Sequence, residues 1–98
     1  MKLKLLTAAR TDATDAIAYY NAEEPGLGAE FATEVRKAIE RILQFPNAWT
    51  ALSNRVRRCQ VNRFPYAVFY SLKNDIVVVI AVLHNHRAPR TWQTRIED

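Results

Sequence analysis

Residues 66–83 read YAVFYSLKNDIVVVIAVL, and this stretch decides the fold class. Residues 66–72 are rich in aromatic and β-branched side chains, and residues 76–83 are consecutively apolar, so both segments predict β-strands. The polar residues 73–75 between them predict a short turn that joins the two strands as a hairpin. Because residues 76–83 are apolar on both sides, we expect this strand to lie inside a sheet rather than at its edge.

The chain before this hairpin predicts one strand, two helices and a further strand. Leucine and lysine alternate over residues 2–6, which is typical of a strand. Apolar residues then recur at helical spacing over residues 8–20 and again over residues 31–45, with a Pro-Gly turn between the two helices. Residues 47–55 are predicted to be a connection, and residues 56–61 an extended segment.

The resulting element order, β-α-α-β-β-β, predicts an α+β fold. In this fold a helical hairpin packs on a mostly antiparallel four-stranded sheet. The basic segment from His84 onward is predicted to be a C-terminal tail or a short helix at the edge of the sheet. We expect residues 1–98 to form a single domain, because a chain of this length can bury one core.

The positive charge lies in the second half of the chain. The net charge is +4, made of −1 in residues 1–50 and +5 in residues 51–98, where seven of the eight cations are arginine. Arginine makes bidentate contacts with carboxylate and phosphate groups, so this bias indicates an anionic partner. A solubilising basic surface would give the same composition.

Several classes of protein are excluded by composition. A hydrophobic fraction of 49% is too high for intrinsic disorder, and residues 76–83 are far shorter than the roughly 20 residues that span a bilayer. The N-terminus lacks the apolar stretch of a signal peptide, so we expect a cytoplasmic protein with no membrane partner. The single cysteine, Cys59, is interpreted as a small packing group in a reducing compartment.

His84 and His86 are the only histidines, and both side chains should point to the same side of a strand end. A third metal ligand is not evident, so no metal site is predicted. Acid-base chemistry is an alternative, because RNA cleavage needs a base, an acid and cations on the phosphate. The arginines that could converge on the histidines are Arg57, Arg58, Arg63 and Arg87. The simpler interpretation is that the histidines cap the strand end by hydrogen bonding.

Six segments in this order resemble the RelE/ParE superfamily of toxins. They are DATDAIAYY at residues 12–20, FATEVRKAIERI at 31–42, PNAW at 46–49, RR at 57–58, RFPYAVFY at 63–70 and IAVLHNHRAPRTWQTR at 80–95. The resemblance implies the toxin of a type II toxin-antitoxin module, neutralised by a cognate antitoxin that lies across its surface. RelE-like members cut mRNA in the ribosomal A site, whereas ParE-like members bind DNA gyrase and block replication without a nuclease site.

The chain is more similar to the ParE-like, plasmid-stabilisation branch, because its second half holds little lysine and no tyrosine after Tyr70. This resemblance implies a gyrase inhibitor without catalytic residues or cofactors. Its target would contact an arginine-rich surface comprising Arg57, Arg58, Arg63, Arg87, Arg90, Trp92 and Arg95. Trp92 is either an aromatic anchor of this surface or a residue that closes the core. The antitoxin is expected on the sheet and the helical hairpin.

The alternative function is ribosome-dependent mRNA cleavage. Its catalytic residues would be His84, His86, Arg87, Arg63 and Arg58, and its partners the ribosome and mRNA. A plain nucleic-acid-binding module, with affinity that falls steeply with salt, is a third hypothesis.

Overall fold

Two helices follow one another in the chain and cover one face of a β-sheet in the computed structural model, which describes residues 1–86 and 90–96. The helices are α1 (Thr7–Glu23), α2 (Leu27–Gln44) and a short α3 (Arg90–Arg95). The strands are β1 (Lys2–Leu5), β2 (Thr50–Ala51), β3 (Arg57–Gln60), β4 (Tyr66–Lys73) and β5 (Ile76–His84). The α+β class, the helical hairpin and the terminal short helix are therefore confirmed.

Within the described residues the sheet has five strands, in the order β1-β5-β4-β3-β2, where the sequence predicts four. Only β1 and β5 pair in parallel, and β5 lies inside the sheet as expected. The additional strand, β2, pairs Thr50 with Arg58 and Ala51 with Arg57. The prediction of a plain connection over residues 47–55 is therefore wrong, because two residues are too few to show the alternation that marks a strand.

The helical hairpin depends on a close approach between α1 and α2. A Cβ atom at Gly28 would lie 2.5 Å from the carbonyl oxygen of Ile17, so only glycine fits at this crossing. The backbone N–H of Gly28 donates to the side-chain oxygen of Asn21 at 2.8 Å, which ties the two helices together. The structure thus begins α2 at Leu27, earlier than the apolar stripe of the sequence indicates.

The two faces of the sheet carry separate apolar clusters. The helix-covered face includes Val68 and Tyr70 of β4, whereas the opposite face includes Phe69 of the same strand. The pairing of β4 with β5 has a bulge between Phe69 and Tyr70, and the consecutive residues Ile80 and Ala81 of β5 both belong to the cluster of the opposite face. Helix α3 packs on the opposite face, where Trp92 is 6% exposed and stacks on Phe69 with ring centroids 6.4 Å apart.

None of the helices in residues 1–86 and 90–96 combines the length and the apolar character that a membrane span requires.

Candidate functional site

Arg57 and Arg58 are neighbours in β3, and their side chains lie on opposite faces of the sheet. Successive strand residues alternate between faces, so Arg57 shares a face with Tyr70 and Arg58 with Phe69. Nη1 of Arg57 donates to the carbonyl oxygen of Trp49 at 2.7 Å. The Arg-Arg pair therefore contributes to two surfaces of the sheet.

Arg58 reaches the segment that carries the histidines. Its Nη2 atom donates to Oδ1 of Asn85 at 2.9 Å and to Oε1 of Gln60 at 2.9 Å. Its guanidinium carbon also lies 5.8 Å from the ring centroid of Phe69. Because Asn85 stands between His84 and His86 in the chain, the structure brings Arg58 to the same corner as both histidines.

The two histidine rings pack against each other at the end of β5. Their centroids are 5.1 Å apart, and the ring of His84 also meets Tyr66 edge-on at 5.4 Å. The backbone N–H of His86 donates to Nδ1 of His84 at 3.1 Å. This hydrogen bond is the strand-end cap that the sequence allowed as the simpler interpretation, and it occupies one of the nitrogens that acid-base chemistry would need.

Arg63 lies in the turn between β3 and β4 and points to α2. Its φ is 74°, in the left-handed region, which lets the chain reverse between the strands. Nη2 donates to Oε1 of Glu30 at 2.6 Å, and Nη1 lies 3.8 Å from Oε2 of Glu34, a carboxylate that is otherwise buried. The hydrogen bond that Arg63 donates to Glu30 raises the pKa of Arg63 further above its already high value. These contacts hold Arg63 on the helical hairpin, and no sequence signal pointed to either glutamate.

Arg95 forms a clamp between α3, α1 and β5. Nη1 and Nη2 hold the two oxygens of the Asp12 carboxylate at 2.6 and 3.0 Å, and Nη1 also donates to the carbonyl oxygen of Ile80 at 3.1 Å. Asp12 in turn accepts the backbone N–H of Val82 at 3.0 Å. Since β1 pairs only as far as Leu5, these two side chains take the place of a strand partner for the next part of β5.

The predicted target-binding residues are therefore distributed over the molecule. Trp92 and Arg95 are held in contacts inside the fold, and Trp92 closes the core, one of the two roles considered for it. Arg90 is exposed on α3. Arg87 lies outside the described residues.

A groove runs along the outer edge of β3, beyond the end of β2. It encloses about 360 Å³ and is lined by Arg41, Trp49, Thr50, Arg58, Gln60 and Asn62. Because β2 pairs only with Arg57 and Arg58, no strand among the described residues pairs with the outer edge of Gln60. Nη2 of Arg41 donates to the Gln60 carbonyl oxygen there at 2.9 Å. Sequence reasoning missed Arg41, because it looked like one cation on the solvated face of α2.

Cys59, the neighbour of Gln60 in β3, is 1% exposed. Burial raises the pKa of its thiol, and the positive charge of Arg41 offsets only part of that effect. The thiol therefore stays protonated near neutral pH, as expected for a packing group.

Residues 1–86 and 90–96 contain no cluster of three or more histidine, cysteine, aspartate or glutamate side chains that could hold a metal ion.

Comparison with known proteins places this arrangement in a family. Residues 3–89 match the family described as "ParE toxin of type II toxin-antitoxin system, parDE". The fold is similar to a chain of a solved structure, "Chromosomal ParDE TA system from P. aeruginosa", with a TM-score of 0.76 and 16% sequence identity over 86% of this chain and 95% of that chain. No curated protein sequence matches the chain significantly. Because the match to the family covers most of its length, the chain belongs to the ParE toxins of type II toxin-antitoxin systems.

Proposed function

We propose that this ParE toxin inhibits DNA gyrase, blocks replication in the cytoplasm and is neutralised by a cognate antitoxin. The observation that carries the proposal is membership of the ParE family over residues 3–89, since the ParE-like branch is the one whose resemblance implies gyrase as target. The geometry supports a binding surface rather than a reaction centre, because His84 caps its own strand end and Arg63 is engaged by α2. In this proposal residues 1–98 act as one domain without a cofactor.

The proposed contact surface for gyrase centres on Arg58. This arginine lies at the corner where β3 meets the end of β5, and its partners are neutral side chains rather than carboxylates. Neutral partners can be exchanged for the acidic groups of another protein at little cost, whereas a buried ion pair cannot. Arg90, exposed on α3, is proposed to extend this surface, with Arg63 at its border. Arg87 is included only for its place next to His86 in the sequence, and Arg57 is left out because its side chain lies on the opposite face of the sheet.

The antitoxin is proposed to occupy the groove along β3. An extended segment can add to an open strand edge through its backbone, and charge complementarity then selects its side chains. Such a segment would exchange the contact between Arg41 and the Gln60 carbonyl for a backbone hydrogen bond. Acidic side chains on it would meet Arg41 and Arg58, and the indole of Trp49 would pack against its apolar part. Because Arg58 belongs to both surfaces, the antitoxin would neutralise the toxin by competition.

A gyrase supercoiling assay tests the proposed target. Purified toxin is expected to inhibit supercoiling or to trap cleaved DNA, and Arg58→Ala is expected to weaken this inhibition. Arg36→Ala removes an equal charge from the exposed face of α2 and serves as the matched control. Folded toxin that leaves the gyrase of its own host uninhibited would contradict the proposal.

Binding assays with the antitoxin test the groove separately. Arg41→Ala is expected to weaken antitoxin binding and to leave gyrase inhibition intact, whereas Arg58→Ala should weaken both. Equal antitoxin affinity of Arg41→Ala, Arg58→Ala and Arg36→Ala would place the antitoxin elsewhere.

Ribosome-dependent mRNA cleavage is the second candidate, and the observation that favours it is the packing of two imidazoles 5.1 Å apart beside Arg58. Histidine pairs can supply both a base and an acid at neutral pH. This reading requires that His84→Ala and His86→Ala each abolish growth arrest while folding and antitoxin binding persist. Growth arrest that survives both substitutions would exclude it and leave gyrase inhibition.

A further inference from the structure

Three cations gather where the loop after β2 meets the end of β4. Arg55 lies in that loop, Arg57 is the first residue of β3 and Lys73 is the last residue of β4. Two adjacent cavities of about 140 and 250 Å³ lie there, and both are lined by Arg55, Asn54 and Leu72. Arg57 lines the first cavity and Lys73 the second, so Arg55 stands between two neighbouring basic hollows.

The charge of these cations is not neutralised within the part of the chain that the structure describes. The ion pairs found there belong to Arg63 and Arg95, on other sides of the molecule. Among residues 1–86 and 90–96, no carboxylate lines either cavity. Arg57 uses one N–H for the Trp49 carbonyl, which orients its guanidinium and leaves further donors free.

The groups around the cavities are hydrogen-bond donors that suit the oxygens of an anion such as phosphate. Guanidinium and ammonium groups provide charge-assisted donors, and the side-chain amides of Asn47 and Asn54 add neutral ones. Two basic cavities that share Arg55 suit an anion with two regularly spaced charged groups. Neighbouring phosphates of one nucleic-acid strand are such groups. Protein contacts of this kind position a nucleic acid without reading its sequence.

We propose that Arg55, Arg57 and Lys73 bind two neighbouring backbone phosphates of duplex DNA, independently of sequence. The choice of duplex DNA rests on the proposed function, because gyrase acts on DNA and a toxin that holds the duplex would be retained at the enzyme. The phosphate chemistry itself follows from the cavities. This surface is separate from the groove proposed for the antitoxin, although both adjoin β3.

The test measures binding of the toxin to a short labelled DNA duplex of arbitrary sequence. Fluorescence anisotropy gives the binding constant at salt concentrations between about 50 and about 200 mM. For the wild-type protein, the logarithm of the binding constant is expected to fall linearly with the logarithm of the salt concentration. The Arg55→Ala/Lys73→Ala double variant should reduce the slope by about one, because the cavity that Lys73 lines loses both of its cations whereas Arg57 remains in the other. The control, Arg36→Ala/Lys37→Ala, removes the same charge from exposed positions of α2 and should leave the slope unchanged.

Three results would overturn the proposal. One is the absence of duplex binding at the lowest salt concentration, and another is an equal change of slope in both double variants, which would indicate attraction by net charge alone. The third is binding of single-stranded RNA, but not of duplex DNA, that depends on Arg55 and Lys73. Gyrase inhibition is measured on the same proteins: inhibition without DNA binding overturns only this inference, whereas DNA binding without inhibition overturns only the proposed target.

Discussion

Arg63 and Arg95 hold carboxylates at the same distance in different surroundings. The pair between Arg63 and Glu30 measures 2.6 Å, with side chains that are 55% and 48% exposed. The pair between Arg95 and Asp12 also measures 2.6 Å, with side chains that are only 20% and 13% exposed. Water competes for the first pair and is largely excluded from the second, so equal geometry gives unequal contributions to stability.

The comparison separates arginines that hold the fold from arginines that a partner can use. Arg95 fastens α3 to α1 and β5, and its loss would leave the Asp12 carboxylate in a poorly solvated place. Arg63 can release Glu30 to water and take a carboxylate of another protein instead. Burial, more than the presence of an ion pair, therefore decides which predicted contact residues remain available.

The largest effect is expected at the C-terminal anchor. Trp92→Ala removes the indole that stacks on Phe69 and should lower the free energy of unfolding by about 3 kcal/mol, the lower range for loss of a buried aromatic side chain. Chemical denaturation measures this change, and Gln93→Ala, at an exposed position of the same helix, is the control. Equal stability of the two variants would mean that α3 does not contribute to the core.

The second largest loss of stability is expected when the ion pair between Arg95 and Asp12 is broken. Arg95→Ala leaves Asp12 with the Val82 N–H as a partner but without a cation, and should lower the free energy of unfolding by about 2 kcal/mol. Arg90→Ala, at the exposed start of α3, should change it by less than about 0.5 kcal/mol. If Arg95→Ala proved as harmless as Arg90→Ala, the distinction drawn from burial would fail.

Tyr70 offers a buried polar contact without an ion pair. Its hydroxyl donates to the carbonyl oxygen of Pro46 at 2.5 Å, so Tyr70→Phe should lower the free energy of unfolding by about 1 kcal/mol at neutral pH. Burial raises the pKa of Tyr70 to about 12, above its value of about 10 in the unfolded chain, although the charge of Arg57 acts in the opposite direction.

The raised pKa gives this contact a defined pH dependence. Between about pH 10 and about pH 12 the unfolded chain releases the Tyr70 proton while the folded protein keeps it, so the stability that is present below pH 10 is lost as the pH rises. The Tyr70→Phe variant has no hydroxyl to ionise, so its stability does not fall for this reason. The unfolding free energies of the wild-type protein and the variant should therefore converge over this range. Parallel curves in urea titrations at increasing pH would show that Tyr70 ionises normally.

The smallest effect on stability is expected at the exposed pair. Arg63→Ala should leave the unfolding transition unchanged at physiological salt, because water and ions already screen its contacts with α2. The same variant should weaken gyrase inhibition slightly, since Arg63 borders the proposed surface. A loss of stability as large as that of Arg95→Ala would show that the partly buried contact with Glu34 holds the turn in place.

Much of the fold could be predicted because the decisive signals are local. The apolar run of β5 and the aromatic and β-branched residues of β4 mark a hairpin without reference to any other part of the chain. The helical period likewise marks α2, whose apolar stripe packs on the sheet. The two-residue strand β2 was not predicted, because its pairing with β3 leaves no local pattern in the sequence.

The candidate site was predicted less well, for a related reason. The sequence indicated that arginine dominates the second half, but it gave no information on which guanidinium meets a carboxylate. Asp12 and Arg95 lie at opposite ends of the chain, and only the packing of α3 and α1 around the free edge of β5 brings them together. Arg41 reaches the groove of β3 in the same way, from a face of α2 that looked solvated in the sequence.

The sequence by itself determined the fold class, the family resemblance and the basic character of the second half, because periodicity, motif order and charge are properties of the chain as written. The tertiary structure decided which of those charges are available. Strand alternation separated Arg57 from Arg58, burial committed Trp92 to the core, and the ion pair with Asp12 committed Arg95 to the fold. The proximity of the loop after β2 to the end of β4 brought Arg55 and Lys73 to the same cavity. The physical reason is that the availability of a charge depends on its solvation and its neighbours in space, which are fixed only when the chain has folded.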